Sequence, residues 1–216
     1  MSQVVVVIGG GSLVARAVIE VQPGVTVIAA DSGLDHAVAA GLSPDVLVGD
    51  LDSISAAGRM WAYAHDVLIQ QHPVDKDATD TALALAHAVE IPGATDLLVL
   101  AGAGDRLDHT VATLAALGNP ALAIFETVRA VLGETTVNVL HPGHVVSIHA
   151  PEGTTFSLLA LHGPCSGVNV EHARWPLSGA DIAATATVGV SNLTLGPPSP
   201  PTHIAVGGGV LTVVIP

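Results

Sequence analysis

Short apolar runs and alanine-rich amphipathic stretches alternate along the first half of the chain. Val4 to Ile8, Val25 to Ala30, Val46 to Val48, Val67 to Ile69, Leu97 to Leu100 and Ala121 to Phe125 have the length and composition of buried strands. Such alternation predicts a parallel sheet flanked by helices. One helix is marked in detail: Asp77, Thr79 and Asp80 supply capping oxygens and early negative charge ahead of Leu83, Leu85 and Val89, and Pro92-Gly93 stops it. Another is expected to start near Asp108, run through Val111, Leu114 and Leu117, and end at Gly118-Asn119-Pro120. There glycine would cap the last turn and proline cannot continue it.

The pattern changes near Val128. Val137 to Leu140, His144 to His149, Thr155 to Leu161, Thr185 to Val190, His203 to Val206 and Val210 to Ile215 are β-branched runs broken by Gly and Pro, as in an antiparallel sandwich or barrel. Gly196-Pro197-Pro198-Ser199-Pro200-Pro201 reads as a stiff loop between late strands. The expected fold class is α/β plus all-β. An N-terminal parallel-sheet, Rossmann-like domain would span 1–127, and a C-terminal antiparallel β-sandwich, jelly-roll-like, would span 128–216.

Half of the 216 residues are apolar, enough for a sizeable core. A net charge of -13 argues against broad binding to nucleic acid or anionic membranes, which needs clustered positive charge. Cys165 has no partner for an internal disulfide. Met1 is followed almost directly by a strand with no basic leader, and no apolar run reaches the ~20 residues of a membrane span. A cytoplasmic protein is expected.

The acidic residues are concentrated at particular places. Asp31-Ser32-Gly33 follows one expected strand, Gly49-Asp50-Leu51-Asp52-Ser53 another, and Asp75-Lys76-Asp77-Ala78-Thr79-Asp80 leads into a helix. These positions lie at or beyond the carboxyl ends of strands, where open α/β sheets bind ligands. On an extended segment Asp50 and Asp52 would face one cation while Leu51 packs oppositely. Carboxylates, phosphates and water are the oxygen ligands that Mg²⁺ takes. Each aspartate taken singly can also be a helix cap or turn residue. Gly9-Gly10-Gly11-Ser12, after the first strand, lets backbone N–H groups approach a phosphate or simply makes a tight turn. It lacks the third glycine of a dinucleotide fingerprint, Val14 standing there, and Lys76 lacks the spacing of a lysine-bearing phosphate loop. Gly104-Asp105-Arg106-Leu107-Asp108-His109 puts an arginine beside a helix start, suited to phosphate or to a surface pair with Asp108.

Read in order, Ala30-Asp31-Ser32-Gly33, Val48-Gly49-Asp50-Leu51-Asp52-Ser53, Asp77-Ala78-Thr79-Asp80 and Gly104-Asp105-Arg106-Leu107-Asp108-His109 resemble the motifs of the thiamine pyrophosphokinases. Arg174-Trp175-Pro176-Leu177 and Val190-Ser191-Asn192 extend the resemblance into the β half. It implies an α/β domain that binds Mg²⁺ and ATP, a β-sandwich that completes the thiamine pocket, and a homodimer with the active site near the subunit interface. By motif position, Asp31, Asp50, Asp52 and Asp80 would be the metal carboxylates. Gly10, Asp31, Ser32, Gly33, Thr79, Arg106, Asp108 and His109 would serve the nucleotide, and Trp175, Ser191 and Asn192 would line the thiamine side. Ala101 stands where the family often has the first glycine of the fourth motif, and His172-Ala173 replace a common Gly-Leu. The first bears on loop shape and the second on the acceptor pocket.

The expected reaction is attack of the acceptor hydroxyl on the β-phosphorus of ATP, giving AMP and a diphosphate, with Asp50, Asp80 and Arg106 as the catalytic residues and Asp80 or Asp50 taking the proton. Two alternatives stand beside it: a pyrophosphokinase with another acceptor, such as a hydroxymethylpterin, and a non-catalytic nucleotide or thiamine sensor. A dinucleotide oxidoreductase lacks its glycine fingerprint. His141, His144 and His149 lie close in sequence, but their spacing matches no common zinc pattern.

Overall fold

The computed structural model describes residues 2–102, 104 and 106–216. In chain order the elements of the first half are β1 (Ser2–Val7), α1 (Ala15–Ile19), β2 (Thr26–Ala30), α2 (Gly33–Ala39), β3 (Val46–Gly49), α3 (Ala56–Ala64), β4 (Leu68–Gln71), α4 (Asp80–Val89), β5 (Ala94–Ala101) and α5 (Leu107–Leu117). A 3-10 turn (Pro120–Ile124) follows, then β6 (Thr127–Leu132), β7 (Thr135–Leu140), β8 (Val145–Ile148), β9 (Thr155–Leu159), β10 (Cys165–Glu171), β11 (Leu177–Ile182), β12 (Asn192–Leu193), β13 (Thr202–Ala205) and β14 (Leu211–Ile215).

The chain forms two compact units, one of residues 1–116 and 129–134, the other of 117–128 and 135–216. The sequence pattern places a single change of texture near 127, whereas the backbone passes from unit to unit at 116/117, 128/129 and 134/135.

In the first unit the strand order is β6-β5-β1-β2-β3-β4, and β1 to β5 are parallel to one another. Val4 to Val7 are fully buried because β1 is central, flanked by β2 and β5 and covered on both faces. The chain steps outward from β1 to β4 and then returns to place β5 on the other side of β1. Strand order therefore reverses between β1 and β5, and a crevice opens there beyond the carboxyl ends. Glycines let the loops meet in it: a Cβ on Gly102 would lie 2.4 Å from Gly11 backbone, and one on Gly33 would lie 2.2 Å from the Val7 carbonyl oxygen.

The second unit is an antiparallel sandwich. One layer has the order β12-β9-β14-β7, the other β11-β10-β13-β8. Leu140, Phe156, Leu158, Leu211 and Val213 from the first layer pack with Ile148, Val168, Val170, Ile182 and Ile204 from the second.

Three expected elements are different in the structure. Ala121 to Phe125 is a 3-10 turn and not a strand, because Asn119 Oδ1 accepts from Ala121 N (2.9 Å) and Pro120 occupies its first turn. Thr185 to Val190 is loop and turn, stitched by Ala186 N to Ala183 O and Val190 N to Thr187 O. Gly118 does not act as a left-handed cap: it is small because the His162 ring lies where its Cβ would be, with Nδ1 only 2.1 Å away.

Candidate active site

Each acidic loop is shaped by a specific device. After β2, Asp31 takes a left-handed φ of 46°, its N–H donating to Val48 O (2.9 Å) and its carbonyl accepting from Leu34 N (3.0 Å) at the start of α2. After β3, Gly49 sits at φ 149°, where a Cβ would lie 3.0 Å from Asp80 Oδ1 and 3.2 Å from Asp31 Cβ. Only glycine lets these two aspartates close over the strand end. Leu51 then adopts φ 68°, with its side chain in the apolar cluster of Leu34, Leu47 and Ile54. Arg59 from α3 donates to the Leu51 carbonyl and holds the turn.

This turn corrects the sequence picture in its reason. Asp50 and Asp52 do face one point, but through a left-handed Leu51 and not through alternation on an extended strand. Carboxylate oxygens of Asp31, Asp50 and Asp52 lie within 4.8 Å of one another. Asp80 stands outside that trio. It opens α4, whose N-cap Thr79 accepts from Ala82 N through its Oγ1 (3.1 Å), and with Asp31 it closes over Gly49.

The electrostatics distinguish the carboxylates. Asp31 is 9% exposed. Burial pushes its pKa up, and the neighbouring charges of Asp80 and Asp50 add to the rise. Its Oδ1 is buried and has no hydrogen-bond partner among the described residues. Asp50 is held below the ordinary carboxylate value, chiefly by its hydrogen bond from Lys76. Lys76 Nζ lies 2.6 Å from Asp50 Oδ2 and 3.0 Å from Asp80 Oδ1. Lys76 is thus shared between the two carboxylates, with its shorter contact a hydrogen bond to Asp50. The bond to Asp50 holds the Lys76 ammonium above its usual pKa. A crowded set of carboxylates with an orphaned buried oxygen suits a small hard cation.

Beside these groups, at the crevice between β1 and β5, is a cavity of about 440 Å³. Of the residues named from sequence, Gly10, Asp31, Ser32, Thr79, Asp80, Arg106 and His109 line it. Gly33 sits behind it, packed on Val7, and Asp50, Asp52 and Asp108 are not in the wall. Asp105 of the fourth motif is outside the described residues. Arg106 is 62% exposed and forms a two-pronged pair with Asp108, Nε to Oδ1 at 2.9 Å and Nη2 to Oδ2 at 2.6 Å. The guanidinium holds the Asp108 carboxyl far below its ordinary range. Lys76, which also lines the cavity, is the residue that sequence reasoning missed. Its signal was present as an i,i+4 relation to Asp80 in a run of aspartates.

Other aspartates are structural. Asp35 accepts from Ser55 N (2.8 Å) and Ser55 Oγ (2.6 Å), and Asp45 Oδ2 accepts from Val27 N (2.8 Å).

In the sandwich, Trp175 is 55% exposed with the Arg174 guanidinium 5.6 Å from its ring centroid. Asn192 is buried, and its side chain grips Trp175: Oδ1 accepts from Trp175 N (3.2 Å) and Nδ2 donates to Trp175 O (2.7 Å). Ser191, at φ 62°, donates its N–H to Ser157 Oγ (3.1 Å). His141 and His144 stack edge to face at 5.6 Å, while His149 lies apart on the wall of a second, proline-lined cavity of about 520 Å³ in the sandwich.

Solved structures that resemble the chain include thiamine pyrophosphokinase from Bacillus subtilis, at 20% identity and TM-score 0.81, covering 99% of this chain and 98% of that one. Thiamin pyrophosphokinase from Candida albicans matches at 16% and 0.75 over 99% and 89%, and the yeast enzyme at 14% and 0.70 over 99% and 86%. At these identities the likeness is one of fold. No curated protein sequence matches. The class that the sequence patterns define is a pyrophosphokinase, a transferase. "Thiamin pyrophosphokinase, catalytic domain" matches residues 21–128 and "thiamin pyrophosphokinase, vitamin B1 binding domain" matches 143–202. The chain belongs to the thiamin pyrophosphokinase family.

Proposed function

We propose that the chain transfers the pyrophosphoryl group of ATP to the hydroxyl of thiamine, giving thiamine diphosphate and AMP, and that it works in the cytoplasm as a homodimer. The observation that carries the reading is the meeting of Asp31, Asp50 and Asp52 within 4.8 Å, with Asp80 and Lys76 beside them, next to a cavity at the switch point of a parallel sheet. Asp31, Asp50, Asp52 and Asp80 would hold Mg²⁺, which when bound neutralises phosphate charge and polarises the phosphorus under attack. Gly10, Ser32 and Thr79 line the space for the nucleotide.

The residues have separable tasks in this proposal. Arg106, in the wall, offers its guanidinium to phosphate oxygens, and Asp108 orients it. Asp50 is a weak base because Lys76 stabilises its ionised form. Asp80 lines the cavity and is the better placed to take the proton from the acceptor hydroxyl. Trp175 presents an exposed aromatic face to the thiamine rings, and Asn192 acts by fixing the Trp175 backbone. Ser191 would face the same acceptor.

Incubation with thiamine, ATP and Mg²⁺ followed by product identification tests the reading. AMP with thiamine diphosphate is expected. ADP with thiamine monophosphate would mean simple phosphoryl transfer, and absence of AMP would mean a sensor. A hydroxymethylpterin that competes successfully with thiamine would reassign the acceptor.

A further inference from the structure

The carboxylates assigned to the metal are already partly neutralised by a cation of the chain itself. Lys76 is the only lysine, and its side chain is 13% exposed, against 11% for Asp50 and 24% for Asp80. This is a different kind of contact from the exposed Arg106–Asp108 pair, because charges removed from water are screened little and hold each other firmly. Both oxygens of Asp50 are engaged: Oδ2 accepts from Lys76 Nζ (2.6 Å) and Oδ1 from Asp52 N (3.3 Å). A cation shared by Asp31, Asp50 and Asp52 therefore competes with Lys76 for Asp50. The lysine also relieves the repulsion among four neighbouring carboxylates when no other cation is there.

We propose that Lys76 is a resident counter-cation that a divalent ion must displace from Asp50, so that metal entry and release of the Lys76 ammonium into the phosphate cavity are one coupled event. The inference rests on the reading that Asp31, Asp50 and Asp52 hold the metal. It explains how a dense group of carboxylates stays assembled before substrate arrives. It also makes metal binding to the nucleotide-free protein weak, because each ion has to replace a bonded ammonium. Once phosphates occupy the cavity that Lys76 lines, the freed ammonium has a new partner, and the exchange becomes favourable.

The test is titration of nucleotide-free protein with Mn²⁺, following free ion by electron paramagnetic resonance. K76M and K76Q each remove the competing charge and should bind Mn²⁺ about tenfold more tightly than the natural protein. K76R keeps the charge and should stay near the natural affinity, an outcome that loss of packing alone would not produce. Unchanged or weaker binding in the neutral variants overturns the proposal, as does tightening in K76R equal to theirs. Circular dichroism verifies folding, and K76Q serves if K76M does not fold. The double variant K76M/D52N separates the two layers of the argument: undiminished Mn²⁺ binding there removes the carboxylate site itself, independently of what Lys76 does.

Discussion

Asp31 combines a left-handed backbone, near-complete burial and two like-charged neighbours, so the folded chain sacrifices stability to hold it there. Its folded pKa lies above the unfolded one. Hence the cost is absent in acid, grows as pH rises through the ordinary carboxylate range, and is complete once the raised folded value is passed. Asp31→Asn should therefore raise the unfolding midpoint at pH 7, and the gain should vanish below pH ~4; thermal melts at the two pH values check it. The same substitution should weaken Mn²⁺ binding, a separation of stability from function. Asp52 carries no comparable burden, being exposed and bonded to Ser53 Oγ at 2.8 Å. Asp52→Asn should leave the melt unchanged and lower kcat by about 100-fold or more, of the order expected for loss of a charged metal ligand. Near-normal turnover would remove Asp52 from the metal site.

Helix α3 acts at the next scale up, since it carries the arginine that holds the Leu51 turn. Its N-cap Ser55 accepts from Gly58 N (2.9 Å) and is itself tied to Asp35 on α2. Ser55→Ala should cost about 1 kcal/mol in urea denaturation, the ordinary worth of such a cap. Gly49→Ala should be worse for turnover than for helix content, because its methyl group enters the space of Asp31 and Asp80; kcat and circular dichroism measured together check it.

The strands β1, β2, β3 and β5 were legible from apolar runs because a central parallel strand is buried on both faces and has no polar side to confuse the pattern, whereas the edge strand β4 announces itself only through Val67 to Ile69. Thr185 to Val190 misleads for the opposite reason. Its β-branched residues suit a strand, but the backbone closes turns at Ala186 and Val190 and meets β9 only where Leu158 N donates to the Gly189 carbonyl (2.9 Å), with a Cβ on Gly189 falling 2.6 Å from the leucine Cβ. The aspartate loops could be named from composition and position, whereas the left-handed Leu51 could not, since leucine carries no local preference for that conformation. Lys76 could be read from sequence as an i,i+4 partner of Asp80, whereas its contact with Asp50 follows only from where the loop between β4 and α4 returns it.

For the molecule as a whole, each unit carries one tryptophan, Trp61 in the first and Trp175 in the second. Burial depresses the pKa of His141 and of His162, both in the sandwich, with nearby histidine charges adding to the effect on His141. A depressed histidine is fully compatible with folding above the unfolded value near 6.5 and costs stability as pH falls below it, because the unfolded ring takes the proton first. For His141, at 1% exposure, the slope can reach about 1.4 kcal/mol per pH unit. In a Trp61→Phe background, urea titrations followed by Trp175 should show the sandwich weakening from pH 7 to 5.5, and His141→Gln should flatten that dependence. An unchanged slope in the variant would assign the acid sensitivity to other groups.

The triple passage of the backbone between the units limits how this gene can be dissected. A fragment stopped at Ala116 would lack 129–134, leaving β5 without the strand that borders it and open to pairing with another copy. A fragment stopped at Glu134 keeps that strand but drags along Leu122, Phe125 and Val128, greasy side chains severed from the remainder of their own unit. Neither half can be excised cleanly by one cut, and recombination or fusion at the apparent junction should yield insoluble products where the intact gene gives folded enzyme.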